Sequence, residues 1–177
     1  KYGYRCSVMA GADAVPFLRD LRDLNDNLYS VNGCLSGTLG YITSELEKGR
    51  SFSEILGEAH EKGYTEPHPR DDLSGIDVAR KMVVLARAAG FPVGLKDVQI
   101  SPFIPKEFLT IGDVGGFLDA SAELDAEFKR MAEGAKKNDN VLRYAAEMSA
   151  IGKTLSIRVS LKEVPRKSPL GTLQGTL

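Results

Sequence analysis

The chain has 177 residues, a formal net charge of -1, 42% hydrophobic, 27% charged and 7% aromatic residues, and no tryptophan. That length suffices for one domain whose core stands without disulfides or metals, and the near-neutral charge excludes a global basic field that would draw it to nucleic acid or an anionic membrane. The longest unbroken aliphatic stretch, Met82-Val83-Val84-Leu85-Ala86, falls far short of the roughly 20 residues that span a bilayer. Cys6 and Cys34 make neither a metal cluster nor a disulfide framework, which fits a reducing cytosol.

In chain order, Tyr2, Tyr4, Cys6 and Val8 alternate with Lys1, Gly3, Arg5 and Ser7, the period of a half-buried strand. Residues from Asp13 to about Leu24 place Phe17, Leu18, Leu21 and Leu24 at helical spacing, with Pro16 in the first turn. A strand over Leu28 to Leu35 and a helix over Ser36 to Lys48, stopped by Gly49, follow. Ser51, three residues before Glu54, reads as a capping box for a helix through Ile55, Leu56 and Ala59 that ends at Gly63. Residues 71–89 read as one helix closed by Gly90 and Pro92. Residues 113–136 read as another, with Phe117, Leu124, Phe128 and Met131 inward. Two alternating runs then flank Gly152-Lys153: Leu142, Tyr144, Ala146 and Met148, then Leu155, Ile157, Val159 and Leu161, an antiparallel hairpin. The expectation is one α+β domain over residues 1–177, a mixed, largely antiparallel sheet covered by helices.

The densest polar constellation runs from Gly63 to Lys81. Pro67 and Pro69 stiffen the loop around Glu66 and His68, since each fixes its own φ and restrains its predecessor. Asp71 and Asp72 follow at a helix N-terminus, where free N–H groups favour carboxylates; taken alone, ordinary capping is the commoner reason for them. Asp77 and Lys81 share a helix face at i, i+4, and the apolar residues around them predict a buried pair with an adjustable lysine, a candidate general acid or base.

Asn32 to Tyr41 forms a second cluster. Small residues at a strand-to-helix turn, with the Ser36 and Thr38 hydroxyls, suit a bound carboxylate as well as they suit plain N-capping. It is neither a P-loop nor G-x-G-x-x-G. His60 falls on the polar face of its helix and reads as solvated, His68 reads as an exposed loop histidine, and Cys34 as a small buried thiol. No zinc or calcium pattern occurs in the sequence.

Ser36-Gly37-Thr38-Leu39-Gly40-Tyr41-Ile42, Ser51-Phe52-Ser53-Glu54 and the run from Gly63 to Lys81 together resemble homoserine dehydrogenase, most of all the form fused to aspartokinase. Val141-Leu142-Arg143-Tyr144 and Ser168-Pro169-Leu170 extend the likeness over essentially the whole chain. The resemblance implies NAD(P)-dependent interconversion of L-aspartate 4-semialdehyde and L-homoserine, on the route to threonine and methionine. It implies Lys81 as the proton carrier, Asp72 and Glu66 as carboxylates holding the substrate's polar groups, Asp77 as the acid that orients the site, and Gly37, Thr38 and Tyr64 as pocket lining. It implies a monovalent cation on the backbone carbonyls of Val8, Ala10 and Ala12, but Arg5 stands where the family often has a glutamate, and a guanidinium is no cation ligand. His68 stands where the family usually has aspartate. The family's Rossmann domain precedes this region and takes a further segment after it. The expectation is therefore a substrate-binding and dimerisation region, inactive in isolation, with a small amino-acid substrate and a second copy as partners. It would reside in the cytoplasm, or in a plastid in a plant. A non-catalytic amino-acid-binding or dimerisation module is the alternative.

Overall fold

A computed structural model describes residues 3–151 and 154–175. Two long strands organise it: β3 (Asn140–Ile151) and β4 (Thr154–Pro165) pair antiparallel along their whole length, from Asn140 opposite Pro165 to Ile151 opposite Thr154. The hairpin expected there is present; its turn, Gly152-Lys153, lies outside the described residues. β1 (Ser30–Gly33) pairs antiparallel with β3, and β2 (Val98–Ile100), for which the sequence gives little signal, pairs parallel with β4. The sheet order is β1-β3-β4-β2. It is the mixed, largely antiparallel sheet expected of an α+β domain.

One face of this sheet carries the core. Tyr144, Ala146 and Met148 on β3 and Ile157 and Val159 on β4 lie on this face and are buried, while Arg143 and Ala145, which point to the other face of β3, are buried as well. Against the core face pack α2 (Gly37–Glu47), α5 (Ile76–Ala88) and α7 (Asp125–Lys137), while α3 (Phe52–Glu61) packs on α2 and α7. Phe52 stacks on Phe128 with ring centroids 4.4 Å apart, and Phe103 on Phe128 at 5.1 Å, tying three separate elements together. No helix among the described residues is long and apolar enough to cross a membrane.

Four local readings need correction. The described part of the amino-terminal alternation is not a strand: Arg5–Ser7 and Met9–Gly11 are 3-10 turns closed by bonds such as Ser7 N–H to Tyr4 O. Its hydrogen bonds are met locally, only Val8 among its described apolar residues is buried, and Tyr4 lies beneath the Arg19 guanidinium. The helix from Asp13 holds, as α1 (Ala14–Asp23), although Phe17 and Leu24 are exposed.

The capping box at Ser51 does not form. Ser51 makes no side-chain cap; instead Asp125, at the start of α7, accepts the Ser53 backbone N–H and the Ser53 hydroxyl, both at 2.7 Å. A tertiary partner thus replaces the local one. Asp125→Ala should cost about 1–2 kcal/mol of stability, the range for a lost helix cap, read as a lower denaturation midpoint of the protein; an unchanged midpoint would show the cap to be dispensable.

The helix read over 71–89 is two: α4 (Arg70–Leu73) and α5, separated by Gly75 in a left-handed conformation at φ 73. The Leu73 carbonyl, which a continuous helix would need for itself, accepts the Phe103 N–H at 2.9 Å. Similarly, 113–136 divides into α6 (Val114–Ala120), a 3-10 turn over Ser121–Leu124, and α7. The inward residues were legible all the same, since Phe117, Leu124 and Phe128 are buried.

Candidate active site

α2 begins where the chain leaves β1, and this junction collects the polar groups from both sequence clusters. Ser36, extended, caps the helix with its hydroxyl oxygen, which accepts the Leu39 N–H at 3.2 Å. Gly37 opens the helix, so its N–H has no partner within it. One residue on, Thr38 is buried and its hydroxyl meets two oxygens, the Tyr64 carbonyl at 2.6 Å and Asp72 Oδ1 at 2.9 Å. The other Asp72 oxygen accepts the Glu66 N–H at 2.8 Å. Asp72 therefore holds the proline-braced loop onto the start of α2 rather than simply capping α4.

A threonine hydroxyl has one proton and cannot donate to both oxygens at once. Burial pushes the Asp72 carboxyl above the usual aspartate value, against the opposing pull of the Glu66 N–H and the Thr38 hydroxyl. The folded chain then holds this proton more tightly than the unfolded one. The group's contribution to stability is fullest at or below the ordinary aspartate value and falls as pH rises through the raised one. The stability of wild type minus that of Asp72→Asn should decline as pH rises above the ordinary aspartate value of about 4. A difference that rises with pH in denaturation curves would contradict this.

Lys81 arrives at the same junction from α5. Its Nζ donates to the Leu35 carbonyl at 2.9 Å and pairs with Asp77 Oδ2 at 2.8 Å. An ammonium has three donors, so one remains for a third oxygen. The burial expected of this pair is not found: the Lys81 side chain is 30% exposed and that of Asp77 59% exposed, because they ride the rim of α5 while Val78, Ala79 and Met82 turn inward. The apolar composition of the helix was legible, but the width of its open strip was not.

Around this centre, Tyr64 stands exposed with its ring edge-on to Tyr41 at 5.2 Å, and Glu66 is exposed. His68 is not the exposed histidine expected. Its Nδ1 accepts the Arg70 N–H, its ring meets the edge of Phe117 at 5.2 Å, and Nε2 is buried without a hydrogen-bond partner. His60 is half-buried, with Nδ1 3.1 Å from Thr65 Oγ1, not freely solvated. Burial raises the Cys34 thiol above its ordinary value, which keeps it protonated, an inert small group. Two parts of the site carried no assigned role at the sequence level: the Leu35 carbonyl, a backbone atom, and Tyr41, whose bracing of Tyr64 is a tertiary contact.

The segment holding Val8, Ala10 and Ala12 is a tight turn in which Met9 and Ala10 have positive φ and the Ala12 N–H bonds Met9 O; Arg5 beside it pairs with Asp13. No group of three or more His, Cys, Asp or Glu side chains among the described residues is placed to hold a metal. A broad concavity of about 620 Å³ lies elsewhere, against Arg87, Gly90–Gly94, Lys96 and Asp97, and contains none of the residues above.

A sequence profile described as homoserine dehydrogenase matches residues 16–177. The chain belongs to the homoserine dehydrogenase family. The bifunctional aspartokinase/homoserine dehydrogenase of Haemophilus influenzae is 42% identical over 170 residues, covering 96% of this chain and 20% of that protein. Among solved structures, a protein of unknown function from Candida auris superposes with a TM-score of 0.88 at 31% identity, covering 97% of this chain and 49% of that one. A putative homoserine dehydrogenase from Archaeoglobus fulgidus superposes with a TM-score of 0.65 at 28% identity, covering 90% and 43%. This chain spans about a fifth of the length of the curated relatives it matches (19% and 20% for two of them). The homoserine dehydrogenase family binds a small substrate, normally uses NAD(P) and is commonly dimeric.

Proposed function

We propose that this chain is the substrate-binding and proton-transferring part of a homoserine dehydrogenase, which interconverts L-aspartate 4-semialdehyde and L-homoserine. The observation that carries this reading is the convergence of Thr38, Asp72, the Glu66 loop and Lys81 on one helix start. An amino-acid substrate needs a partner for its ammonium, a partner for its carboxylate, and a proton donor or acceptor at its reacting oxygen. Asp72 and the exposed Glu66 supply carboxylates for the ammonium and hydroxyl. The N–H groups at the start of α2 suit the carboxylate. Lys81, held by Leu35 O and oriented by Asp77, directs its remaining N–H to the oxygen of the aldehyde or alcohol and moves the proton there. Gly37 and Tyr64 line the pocket.

NAD(P) supplies or takes up the hydride in such a reaction. The described residues do not fit a dinucleotide: the glycine-rich turn before α2 lacks the G-x-G-x-x-G spacing, and its Leu39 N–H and Leu35 carbonyl are already engaged by Ser36 and Lys81. We therefore assign coenzyme binding to parts of a longer parent chain, and expect these 177 residues alone to be inactive. A cation on Val8, Ala10 and Ala12 is not part of this reading, because Arg5 brings positive charge where a carboxylate ligand would be needed. The two-stranded β3–β4 face away from the helices, with Ser156, Arg158, Ser160 and Lys162, is the surface for a second copy. The compartment is the cytoplasm, or the plastid in a plant.

Steady-state kinetics of the intact parent protein test the substrate assignment. Asp72→Asn should raise KM for the amino-acid substrate about 10- to 100-fold, the scale of one lost charged hydrogen bond, with KM for NAD(P)H unchanged. An unaltered amino-acid KM would remove Asp72 from the site.

A further inference from the structure

Two motifs outside the site, Val141-Leu142-Arg143-Tyr144 and Ser168-Pro169-Leu170, are far apart in sequence, and Arg143 joins them. Arg143 is 2% exposed, with the longest charged side chain in the buried interior. Its Nε donates to the Leu170 carbonyl at 3.1 Å. One terminal nitrogen donates to the Gly171 and Leu173 carbonyls at 2.8 and 2.7 Å, and the other to the Leu142 carbonyl at 2.8 Å and to the Glu47 carboxylate. A guanidinium has five N–H donors, and here each has an acceptor. The chain after β4 is thereby fastened at three carbonyls, beside the last residue of α2.

From there the segment follows α2 back toward its beginning. The Gly175 N–H donates to Ser44 Oγ at 3.0 Å, and the Gly175 carbonyl lies 2.8 Å from where a Cβ on Gly40 would stand. Gly40 is two residues past Thr38, so the backbone passes within a turn of the candidate site. The approach demands glycine at both ends: Gly175 has φ +75, and a Cβ at Gly171 would fall 2.2 Å from the Pro165 carbonyl. α2 is thus held at its end through Glu47, in its middle through Ser44, and near its start through Gly40.

We propose that residues 168–175, clamped by Arg143, form a strap that sets the position of α2 and through it the Thr38–Asp72 contact, making Arg143, Gly40 and Ser44 positioning residues for the amino-acid substrate. This rests on the reading of the site given above. None of the three touches the Asp72, Glu66 or Lys81 side chains; they act by fixing the helix whose first turn carries Thr38. A shift of α2 away from Asp72 withdraws the hydroxyl that favours its charged form, so it raises the Asp72 carboxyl still further.

The test is steady-state kinetics of the intact parent protein carrying Gly40→Ala, with Asp72→Asn as reference. Gly40→Ala should raise KM for the amino-acid substrate about tenfold, a misplacement effect, leave KM for NAD(P)H unchanged, and move the acidic limb of the kcat/KM profile to higher pH. If the added methyl prevents folding, Ser44→Ala deletes only the bond to Gly175 N–H and the serine's own helix contact, and should give about a threefold rise with the same shift of the acidic limb. Wild-type amino-acid KM and pH profile in the folded variant, with Asp72→Asn impaired, overturns the strap and leaves the site standing. Wild-type behaviour in Asp72→Asn itself overturns both.

Discussion

In the intact parent protein, Lys81→Ala should lower kcat for aspartate semialdehyde reduction ~100- to 10,000-fold, the span over which a positioned proton donor contributes, while KM for NAD(P)H stays within about twofold. The expectation follows from the two anchors of the Nζ. Leu35 O and Asp77 fix the ammonium beside the start of α2 and leave one N–H unspent. Lys81→Arg should not restore turnover: arginine does not give up its proton at accessible pH, and its planar fork cannot occupy the same two contacts with the same third direction. Asp77→Ala should be milder than Lys81→Ala, since Leu35 O still holds the lysine. Near-normal turnover in Lys81→Ala would remove the lysine from the proton step.

The second large effect is on stability. Gly75→Ala should destabilise the fold by about 3 kcal/mol, summing a left-handed residue with a side chain and an overpacked core. Gly75 has φ +73, and an added Cβ would stand 1.9 Å from the Tyr144 hydroxyl oxygen. That hydroxyl cannot simply retreat, because it donates to the Ser101 carbonyl at 2.8 Å, and burial raises it well above its ordinary pKa, so it remains a donor. The break between α4 and α5 is therefore enforced from the sheet. It decides how α4, which carries Asp72, sits against α5, which carries Lys81. Tyr144→Phe in the Gly75→Ala background should recover part of the loss, giving a coupling between the two sites; strict additivity in thermal unfolding of the four proteins would contradict the contact.

Where sequence and structure agree, the information was periodic. The alternation of Leu155, Ile157, Val159 and Leu161 against Ser156, Arg158 and Ser160 identifies a strand with one apolar face, and nothing distant is needed to read it. The Ser36 cap was equally plain, being a contact three residues long. Where they part, a remote group decides. Asp125 takes over the capping of α3 from seventy-two residues away in sequence, a span the bonded pair itself records. Phe103 claims the carbonyl that would have continued α4 into α5. The N-terminal alternation of Tyr4, Cys6 and Val8 had the right period without a paired edge to make it a strand, and the segment closed its bonds on itself.

The candidate site follows the same division. Which residues would meet was legible, because Thr38, Glu66, Asp72, Asp77 and Lys81 lie in two dense motifs whose likeness extends over the chain. How they meet was not. That Thr38 shares Asp72 with the Glu66 N–H, that Lys81 is anchored by a backbone carbonyl rather than buried, and that His68 tucks its ring against Phe117 all depend on loop geometry that no spacing rule encodes. The homoserine dehydrogenase assignment fits both levels. On the proposed reading, an ammonium meets carboxylates, a carboxylate meets N–H groups and a proton meets a held lysine, and groups of these types gather at the start of α2.

The most direct test is to supply the intact parent protein with L-aspartate 4-semialdehyde and NAD(P)H and identify the product. The account predicts L-homoserine formed in step with coenzyme oxidation, and its loss in Lys81→Ala. Binding of the amino acid without homoserine formation by the intact protein would contradict it and leave a non-catalytic binding module in its place.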